Sequence, residues 1–414
     1  MERREGLKKI VLVSSGQPGG NPRLVKEATA LSEAGYAVTV IYCRLSPWAD
    51  AYDEELFHKY PEIHWIAIGY HPFKDKWRNL AARLRQKIYK NLNLLLSVNP
   101  TVAIRSMVLY SQELTAAAKK HKADLYIGHN LGALPAVVAA AKKHKALATF
   151  DFEDYHRGED KEGSLHWRNV KIVEDSLVPH LACATAASPL IADAYKEHYP
   201  SLEVTNINNC FPLKYRGGNT SSLPASPLKL FWFSQFVGKN RGLETVIEAI
   251  GKPRDRQVSL SLLGNADEEI KSYFLDLGKS HGLRSDQIVF LSPVSEAEIV
   301  KTAAQHHIGL ACEVPHIMNR ELCLTNKIFM YLLAGNAIVF TNTKAQQNFL
   351  EEHPEIGKSY DPHNAEQLAN ILNHYVEDDV LLKSHRGVAY KLGVSMNWDS
   401  ECKIFLNEVK KALS

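Results

Sequence analysis

The fold is decided by the stretch KIVLVSSGQPGGNPRLVKEATALSEAGYAVTVIYC, residues 9–43. Its two continuous apolar runs, at 9–15 and 37–43, are typical of strands buried on both faces of a parallel sheet. The segment between them, 22–35, predicts a helix, with Asn21 as N-cap, Pro22 at the first helical position and Gly35 at the stop. A strand, a helix and a second buried strand in this order indicate a doubly wound α/β unit.

The same alternation continues along the chain and restarts once. Further strand-like runs lie at 64–70, 124–130, 147–154, 182–189 and 204–209. Residues 213–228 are rich in Gly, Ser and Pro, which is typical of a linker. Beyond it, strand-like runs resume at 228–235, 258–264, 287–293, 307–313 and 337–342. We therefore expect two doubly wound units that face a cleft, because ligands of such folds bind outside the carboxyl ends of the strands.

Composition limits the compartment and the partners. With 414 residues the chain is too long for one ordinary domain, and its 45% hydrophobic and 23% charged residues are usual for a globular protein. A net charge of +3 is too small to indicate nucleic acid binding. The six cysteines contain no C-x-x-C pair, which predicts a reducing compartment and no zinc framework. The charged N-terminus has no signal peptide and no apolar run reaches about 18 residues, so we expect a cytoplasmic protein.

Candidate site residues in the first half follow the ends of predicted strands. They are Gly19, Gly20, His129, Asn130, Glu153 and Asp154. The glycine pair allows a ligand to approach backbone at a helix N-terminus, or it closes a tight turn. The His-Asn pair at the end of a buried strand is either catalytic or satisfied by neighbouring backbone. The two carboxylates belong to an acceptor-binding site or to a solvated loop. For each of these three groups the sequence leaves both interpretations open.

The second half offers a larger set of candidates. They are Gln235, Lys239, Arg241, Gly264, Asn265, Glu313, Asn319, Thr325, Asn326 and Lys327. The cations at 239 and 241 lie between a strand and a helix N-terminus, where positive charge is unfavourable unless a phosphate is close. The Gly-Asn pair at 264–265 follows a strand and is a second place where backbone can approach a ligand.

Lys327 belongs to the stretch CLTNKIFMYLLAGNAIVFTNTKAQ, residues 323–346. With Thr325 as N-cap, this lysine lies in the first turn of an apolar helix, where the dipole disfavours a cation and calls for an anion nearby. Together with Arg241 it would form a clamp for a pyrophosphate. On this interpretation Lys327→Met weakens diphosphate binding with little loss of folding stability. The alternative is that both side chains are solvated surface cations.

Four segments resemble the GT-B glycosyltransferases of glycosyltransferase family 4, the group 1 type. GNPRLVKEATALSEAGYAVTVI at 20–41 resembles the opening strand, helix and strand of that family, and DLYIGHNLGALPAVVAAAKK at 124–143 resembles its His-Asp segment. TNKIFMYLLAGNAIVFTNT at 325–343 resembles its nucleotide-sugar segment, and NWDSECKIFLNEVKKAL at 397–413 resembles its terminal helix. The resemblance covers nearly the whole chain in the family's order.

The resemblance implies a fold and a function. The fold is GT-B, with an acceptor domain at 1–212, a nucleotide-sugar domain at 213–394 and a helix at 395–414 that crosses back to the first domain. The donor is a UDP- or GDP-sugar, and the acceptor is a glycan or a lipid-linked molecule of surface polysaccharide or glycolipid assembly. Transfer retains anomeric configuration, with neither a metal nor a tightly bound cofactor. Catalytic roles fall on His129, Asn130 and Glu313, and donor contacts extend to the position of Met330.

The chain departs from the family pattern at the donor site. Leu322 and Met330 stand where the family has two glutamates eight positions apart, and the thioether of methionine is a poor acceptor for ribose hydroxyls. The family's Gly-Arg reads Ser234-Gln235, and its Lys-Gly reads Arg241-Gly242. Two other functions therefore stay open, a non-catalytic GT-B protein that binds a nucleotide sugar or a partner enzyme, and a UDP-sugar epimerase.

Residues 72–96 predict a basic amphipathic helix. Trp77, Leu80, Leu84, Ile88 and Leu95 share one helical face, and positions 74–90 carry seven basic residues and one acid. Such a helix suits the anionic headgroups of a membrane surface, which predicts weak peripheral association at its inner face. The alternative is an ordinary surface helix whose apolar stripe packs on its own domain.

Overall fold

The computed structural model describes residues 6–71, 74–95, 99–217, 223–224, 226–252 and 258–414. The chain folds into two compact units. The N-terminal unit consists of Met1–Ile207, Ile317–Asn319 and Cys402–Ser414, and the C-terminal unit of Asn208–His316 and Arg320–Glu401. Positions 72, 73 and 96 of the predicted amphipathic segment and 218–222 and 225 of the predicted linker lie outside the described residues. The predicted domain limits at 212 and 394 stay predictions.

The N-terminal unit is built on a parallel sheet of seven strands in the order β3-β2-β1-β4-β5-β6-β7. The strands are β1 (Lys9–Ser14), β2 (Ala37–Cys43), β3 (His64–Ile68), β4 (Leu125–His129), β5 (Leu147–Phe152), β6 (Cys183–Ala186) and β7 (Val204–Asn206). The order reverses between β1 and β4, where Ser14 lies opposite His129 in the register. This switch point is where doubly wound sheets bind ligands.

Among the described residues before Asn208, eight helices accompany this sheet. They are α1 (Pro22–Glu33), α2 (Asp50–Lys59), α3 (Lys76–Leu95), α4 (Pro100–Met107), α5 (Ser111–Ala118), α6 (Leu134–His144), α7 (Leu165–Leu177) and α8 (Pro189–His198). The start of α1 confirms the predicted cap, because the side chain of Asn21 accepts a hydrogen bond from the backbone N–H of Leu24 at 3.0 Å. The buried face of α1 then covers the sheet with Leu24, Ala28 and Leu31.

The C-terminal unit repeats the same winding around six parallel strands, in the order β10-β9-β8-β11-β12-β13. The strands are β8 (Leu228–Phe236), β9 (Val258–Asn265), β10 (Ile288–Leu291), β11 (Ile308–Ala311), β12 (Ala337–Thr341) and β13 (Gly357–Tyr360). The first five confirm the apolar runs predicted from the sequence, whereas β13 was not predicted. The switch point of this second sheet lies between β8 and β11.

The remaining helices cover the second sheet and end the chain. They are α9 (Leu243–Gly251), α10 (Glu268–Ser280), α11 (Glu296–Ala304), α12 (Met318–Leu322), α13 (Asn326–Ala334), α14 (Lys344–Glu352), α15 (Ala365–Glu377), α16 (Asp379–Leu392) and α17 (Trp398–Leu413). Helix α13 is buried from Lys327 to Ala334 and ends at Gly335, which adopts the left-handed φ of 72° that glycine tolerates.

The last helix returns to the N-terminal unit. From Cys402 onward α17 groups with that unit, and its buried side chains Phe405 and Val409 line a small cavity together with Leu125 and Ile127. Lys411 forms an ion pair with Glu203 near the end of the helix. This grouping confirms the predicted return of the terminal helix to the first domain. Among the helices of the described ranges, none is long and apolar enough to span a bilayer.

Candidate functional site

The N-terminal unit gathers polar side chains at the switch point between β1 and β4. Glu153, just after β5, lies at the centre of this group. One of its carboxylate oxygens is 2.8 Å from Nδ1 of His129 and accepts a hydrogen bond of 2.7 Å from the side-chain amide of Asn21. The other oxygen accepts a longer bond of 3.4 Å from Asn130. The structure thus brings together three of the predicted candidates, His129, Asn130 and Glu153.

His129 is fully buried among carboxylates. Its Nε2 is 3.2 Å from Oε2 of Glu27, and its Nδ1 is 3.6 Å from Asp151. Burial opposes charge on the ring, but Glu27 and Glu153 outweigh this and raise the pKa of His129 to about 10. At neutral pH the imidazole is therefore protonated on both ring nitrogens and positively charged. It cannot accept a proton from a substrate in this state, but it fixes Glu153 and neutralises part of the surrounding negative charge.

Arg23 completes the buried charge network beneath this group. It donates two hydrogen bonds to Asp151 and lies 3.6 Å from Glu27. Burial favours a neutral Asp151, but Arg23 outweighs it and holds the pKa of this carboxyl below its usual range. In the described part of the chain, Glu27, His129 and Asp151 are spaced closely enough to hold a metal ion. The Arg23 guanidinium already binds both oxygens of Asp151, so the cluster already holds two cations of the protein, Arg23 and the protonated His129.

A cavity of about 250 Å³, lined by both polar and apolar residues, opens beside Glu153. Its lining includes Gly16, Gln17, Gly20, Asn21, Leu45, Ser46, Trp48, Ala49, Asn130 and Glu153. Asn130 has a φ of 61°, a left-handed conformation that costs a non-glycine residue about 1–3 kcal/mol and is typical of functional sites. The indole of Trp48 is 46% exposed. Trp48 was not predicted as a site residue, and Asn21 was predicted only as a helix cap, although the position of Trp48 after β2 places it at the same edge of the sheet.

The two candidate glycines have different surroundings. A Cβ on Gly19 would lie 2.8 Å from Cβ of Tyr52 on α2, and the N–H of Gly19 donates to Asp53 at 2.7 Å. Close packing on α2 therefore explains why this position lacks a side chain. A Cβ on Gly20 would only reach the Trp48 ring, at 3.9 Å, so Gly20 is the member of the pair that faces the cavity.

Asp154 and Asn319 form a separate pair. The amide of Asn319 donates to the Asp154 carboxylate at 2.8 Å and accepts from the backbone N–H of Tyr155 at 2.8 Å. Burial raises the pKa of Asp154. Asn319 was predicted to contact the donor. It groups with the N-terminal unit and is hydrogen-bonded to Asp154, a predicted acceptor residue.

In the C-terminal unit the corresponding feature is Glu313, which follows β11 at the second switch point. One carboxylate oxygen is 2.8 Å from Nη1 of Arg320, and the other is 3.3 Å from Nζ of Lys327. Burial favours the neutral acid, but the positive charges of Lys327, Arg320 and Arg241 outweigh it and lower the pKa of Glu313. Three cations thus surround one carboxylate, and this group retains a net positive charge.

Lys327 is a buried residue with an anion of the protein beside it. Only 6% of its surface is exposed, its Nζ is 3.5 Å from Oγ1 of Thr325 and lies 5.5 Å from the centre of the Trp232 ring. The surface-cation alternative is therefore wrong for this lysine. The anion that the helix dipole calls for is Glu313, so the position of Lys327 is explained without a ligand. The predicted cap at Thr325 is confirmed.

The other donor candidates follow β8 and β9. Arg241 is half-buried and donates to Ser234 at 3.0 Å, whereas Lys239 is exposed with its ammonium 4.2 Å from the centre of the Tyr273 ring. Asn265 is exposed and donates to the backbone oxygen of Gln235 at 3.0 Å.

Gly264 and Met330 both lie in the interior of the C-terminal unit, and packing explains their residue types. Gly264 has a φ of 151°, and a Cβ there would lie 2.3 Å from the backbone oxygen of Ser234, so only glycine fits between the strands. Met330 is completely buried in α13. Asn326, the first residue of that helix, is half-buried.

No family model and no curated protein sequence matches the chain. Solved structures match it over nearly its whole length. Sucrose-phosphate synthase from Thermosynechococcus elongatus is 14% identical with a TM-score of 0.71, and the match covers 98% of each chain. HepE from Anabaena in complex with UDP is 16% identical with a TM-score of 0.70, covering 98% of this chain and 100% of that chain. A TarM variant from S. aureus, in complex with Fondaparinux, alpha-GlcNAc-glycerol and UDP, is 10% identical with a TM-score of 0.66, covering 99% and 100%. These likenesses show that the chain has the GT-B fold.

Proposed function

We propose that the protein is a glycosyltransferase that moves a sugar from a nucleotide-diphosphate sugar to a glycan or lipid-linked acceptor. The GT-B fold supports this function because structurally similar proteins include glycosyltransferases, and HepE has been crystallised with UDP and with UDP-glucose. The donor is accordingly a UDP- or GDP-sugar, and the process is surface polysaccharide or glycolipid assembly. A lipid-linked acceptor suits a peripheral location at the inner face of a membrane.

The observation that carries the proposal is the positive group around Glu313. Lys327, Arg320 and Arg241 outnumber the one carboxylate, at the carboxyl edge of a parallel sheet. A diphosphate is the anion whose charge matches this excess. In our proposal Arg241 and Lys327 contact the diphosphate, and Glu313 acts as a positioning residue that holds the lysine. Protein cations then stabilise the charge on the departing nucleotide, so transfer needs no metal.

The cavity of the N-terminal unit supplies the proposed acceptor site. The Glu153 carboxylate and the Asn130 amide line it, and both can bond the hydroxyl groups of a sugar. The protonated His129 holds Glu153 from below and is therefore a positioning residue. Trp48 offers a ring face to a pyranose. We retain Gly20 and Asp154 as proposed acceptor-side residues and retention of configuration as the proposed stereochemical outcome.

A second function is favoured by one observation. Met330 is completely buried where the resembling family has a ribose-binding glutamate, and Leu322 replaces the other glutamate. A protein that binds the nucleotide sugar or a partner enzyme without catalysis would tolerate both changes. The fold and the cationic group would be the same in either case, so binding and turnover must be measured separately.

Incubation with UDP-, GDP- and ADP-sugars, with and without glycan acceptors, tests the proposal. Release of free nucleotide that depends on acceptor supports transfer, and NMR of the product's anomeric proton tests retention. Calorimetric binding without turnover supports the non-catalytic alternative, and a changed sugar on an intact nucleotide indicates an epimerase. Arg241→Gln should weaken diphosphate binding by about 1.5–3 kcal/mol. The control Lys301→Gln, an exposed lysine paired within α11, should leave it unchanged.

A further inference from the structure

The side of α3 that packs on the N-terminal unit is polar. The buried residues of this helix are Asn79, Ala82 and Asn93. The amide of Asn79 donates to the backbone oxygen of Tyr70 at 3.1 Å, and that of Asn93 donates to Asn169 at 2.9 Å. Buried amides with partners fix the orientation of a helix, because turning it would leave them without hydrogen bonds. The inward face of α3 is therefore set by hydrogen bonds and by one small residue.

The opposite side of α3 is an exposed apolar stripe. It consists of Trp77, Leu84, Ile88 and Leu95, which fall within about 40° of arc at the helical repeat. Trp77 is 79% exposed, Leu95 is 82% exposed, and Leu84 and Ile88 are more than half exposed. The stripe runs along the helix for about 27 Å. The alternative, that this stripe packs on its own domain, is therefore wrong. The arrangement is the reverse of that in an ordinary surface helix.

Cations accompany the stripe along one edge. Lys76, Arg83, Lys87 and Lys90 are exposed and follow one another at helical spacing, in a row between the stripe and the buried face. We name this row the cationic flank. Arg85, on the other edge, is already paired with Glu113 on α5. Within the described part of the segment, Asp75 is the one acid, and it lies at the N-terminal end of the helix.

We propose that α3 binds an anionic lipid surface, lying in the plane of the interface with its apolar stripe inserted among the acyl chains. A long apolar row edged by cations matches both layers of such a surface, the hydrocarbon and the negative headgroups. A second copy of this chain would bring one cationic flank near another without matching acids. A nucleic acid would pair with the cations but leave the stripe in water. The inference deepens the proposed membrane location and rests on the proposed function only for its biological meaning.

Vesicle binding by the whole chain tests the proposal directly. Flotation with vesicles that contain phosphatidylglycerol should carry the protein upward at low salt and less at high salt. Vesicles of phosphatidylcholine alone should bind it much more weakly. No nucleotide sugar is present, so failure here leaves the proposed transfer reaction standing, and failure of transfer leaves this result standing. A chain that stays at the bottom with anionic vesicles at low salt overturns the proposal.

Matched variants assign the binding to α3. Leu84→Glu with Ile88→Glu should lower the partition coefficient more than tenfold, whereas Val380→Glu with Val394→Glu, at exposed positions of the C-terminal unit, should leave it unchanged. Each of Lys76→Gln, Lys87→Gln and Lys90→Gln should lower it about fivefold. The exposed lysines of the control set, Lys279, Lys301 and Lys383, should tolerate the same change. Equal binding by the α3 variants and their controls overturns the assignment.

Two further readouts separate insertion from other contacts. Anionic vesicles should shift the tryptophan emission of the wild-type protein to shorter wavelength, and Trp77→Phe should remove most of that shift although five other tryptophans remain. Sedimentation without lipid should give a state of association that Leu84→Glu with Ile88→Glu does not change. If those substitutions instead dissociate an oligomer, the stripe is an interface between copies and the proposal is wrong.

Discussion

Replacing Lys327 by methionine should separate its structural role as the partner of Glu313 from its proposed role in binding the diphosphate. The change removes the ammonium 3.3 Å from Glu313 and leaves the carboxylate buried, with Arg320 at 2.8 Å. Breaking a buried ion pair costs about 3–5 kcal/mol, and because Arg320 remains we expect the lower end, about 3 kcal/mol. The sequence-based expectation of little loss in stability is therefore replaced by one of a clear loss in the free energy of unfolding.

The double variant Lys327→Met with Glu313→Gln is the matched control for stability. It removes the uncompensated carboxylate, so most of the lost free energy of unfolding should return, as measured by denaturant titration. Both variants should bind a nucleoside diphosphate more weakly than wild type by about 1.5–3 kcal/mol, which is one to two decades. The nucleoside alone should bind all three proteins equally in calorimetric titrations.

Three results would refute this reasoning. Equal losses of stability in the single and the double variant would mean that the ion pair is not the cause. Wild-type affinity of the double variant for the diphosphate would show that Lys327 does not contact phosphate. Equal losses of affinity for nucleoside and diphosphate would indicate general damage to the pocket.

Three further predictions concern the glycine between the strands, the buried histidine and the carboxylate of the cavity. Gly264→Ala should destabilise the protein by about 2 kcal/mol or more in denaturant titrations, and more than the control Gly163→Ala, whose φ of 80° is also positive but whose Cβ would meet nothing within 4 Å. The folded-state pKa of His129, about 10, lies above its unfolded value of about 6.5. Its contribution to stability is thus complete below pH 6.5 and lost as pH rises through about 10, so His129→Gln should flatten the alkaline part of a stability profile. His156, whose pKa is raised to about 9, should keep its own contribution in that variant. Glu153→Gln should reduce acceptor-dependent nucleotide release at least tenfold and leave nucleotide binding unchanged, and equal losses of both would argue against an acceptor role.

All strands of the two sheets except β13 could be predicted, most of them from continuous apolar runs, and their order along the chain indicated the doubly wound fold. β13 escaped for a physical reason. Its sequence GKSY has no apolar run, and of its four residues only Gly357 and Tyr360 are buried. A Cβ at Gly357 would lie 1.8 Å from the backbone oxygen of Ile338 on the neighbouring strand, so close approach and not hydrophobicity determines this position.

The candidate site was predictable as a set of strand ends, but its contacts were not. The sequence indicated that Lys327 needs an anion, yet it could not show that Glu313, 14 positions earlier, supplies one, because this pairing depends on the path of the chain between β11 and α13. The amphipathic pattern of α3 could also be predicted from the sequence. Which face turns inward depends on the partners of Asn79 and Asn93, one on a loop and the other on α7. Tertiary contacts of this kind leave no periodic signal.

The ion pair between Glu313 and Lys327 also bears on the entropy of the proposed phosphate binding. A free lysine side chain has about 2 kcal/mol of rotamer entropy to lose when an anion immobilises it. Lys327 is only 6% exposed, and its ammonium is held by Glu313 and Thr325. The side chain is therefore already ordered when the protein folds. In the proposed donor site, an incoming phosphate would therefore meet a charge that is already fixed in direction, and the entropy lost on binding would be mainly that of the ligand.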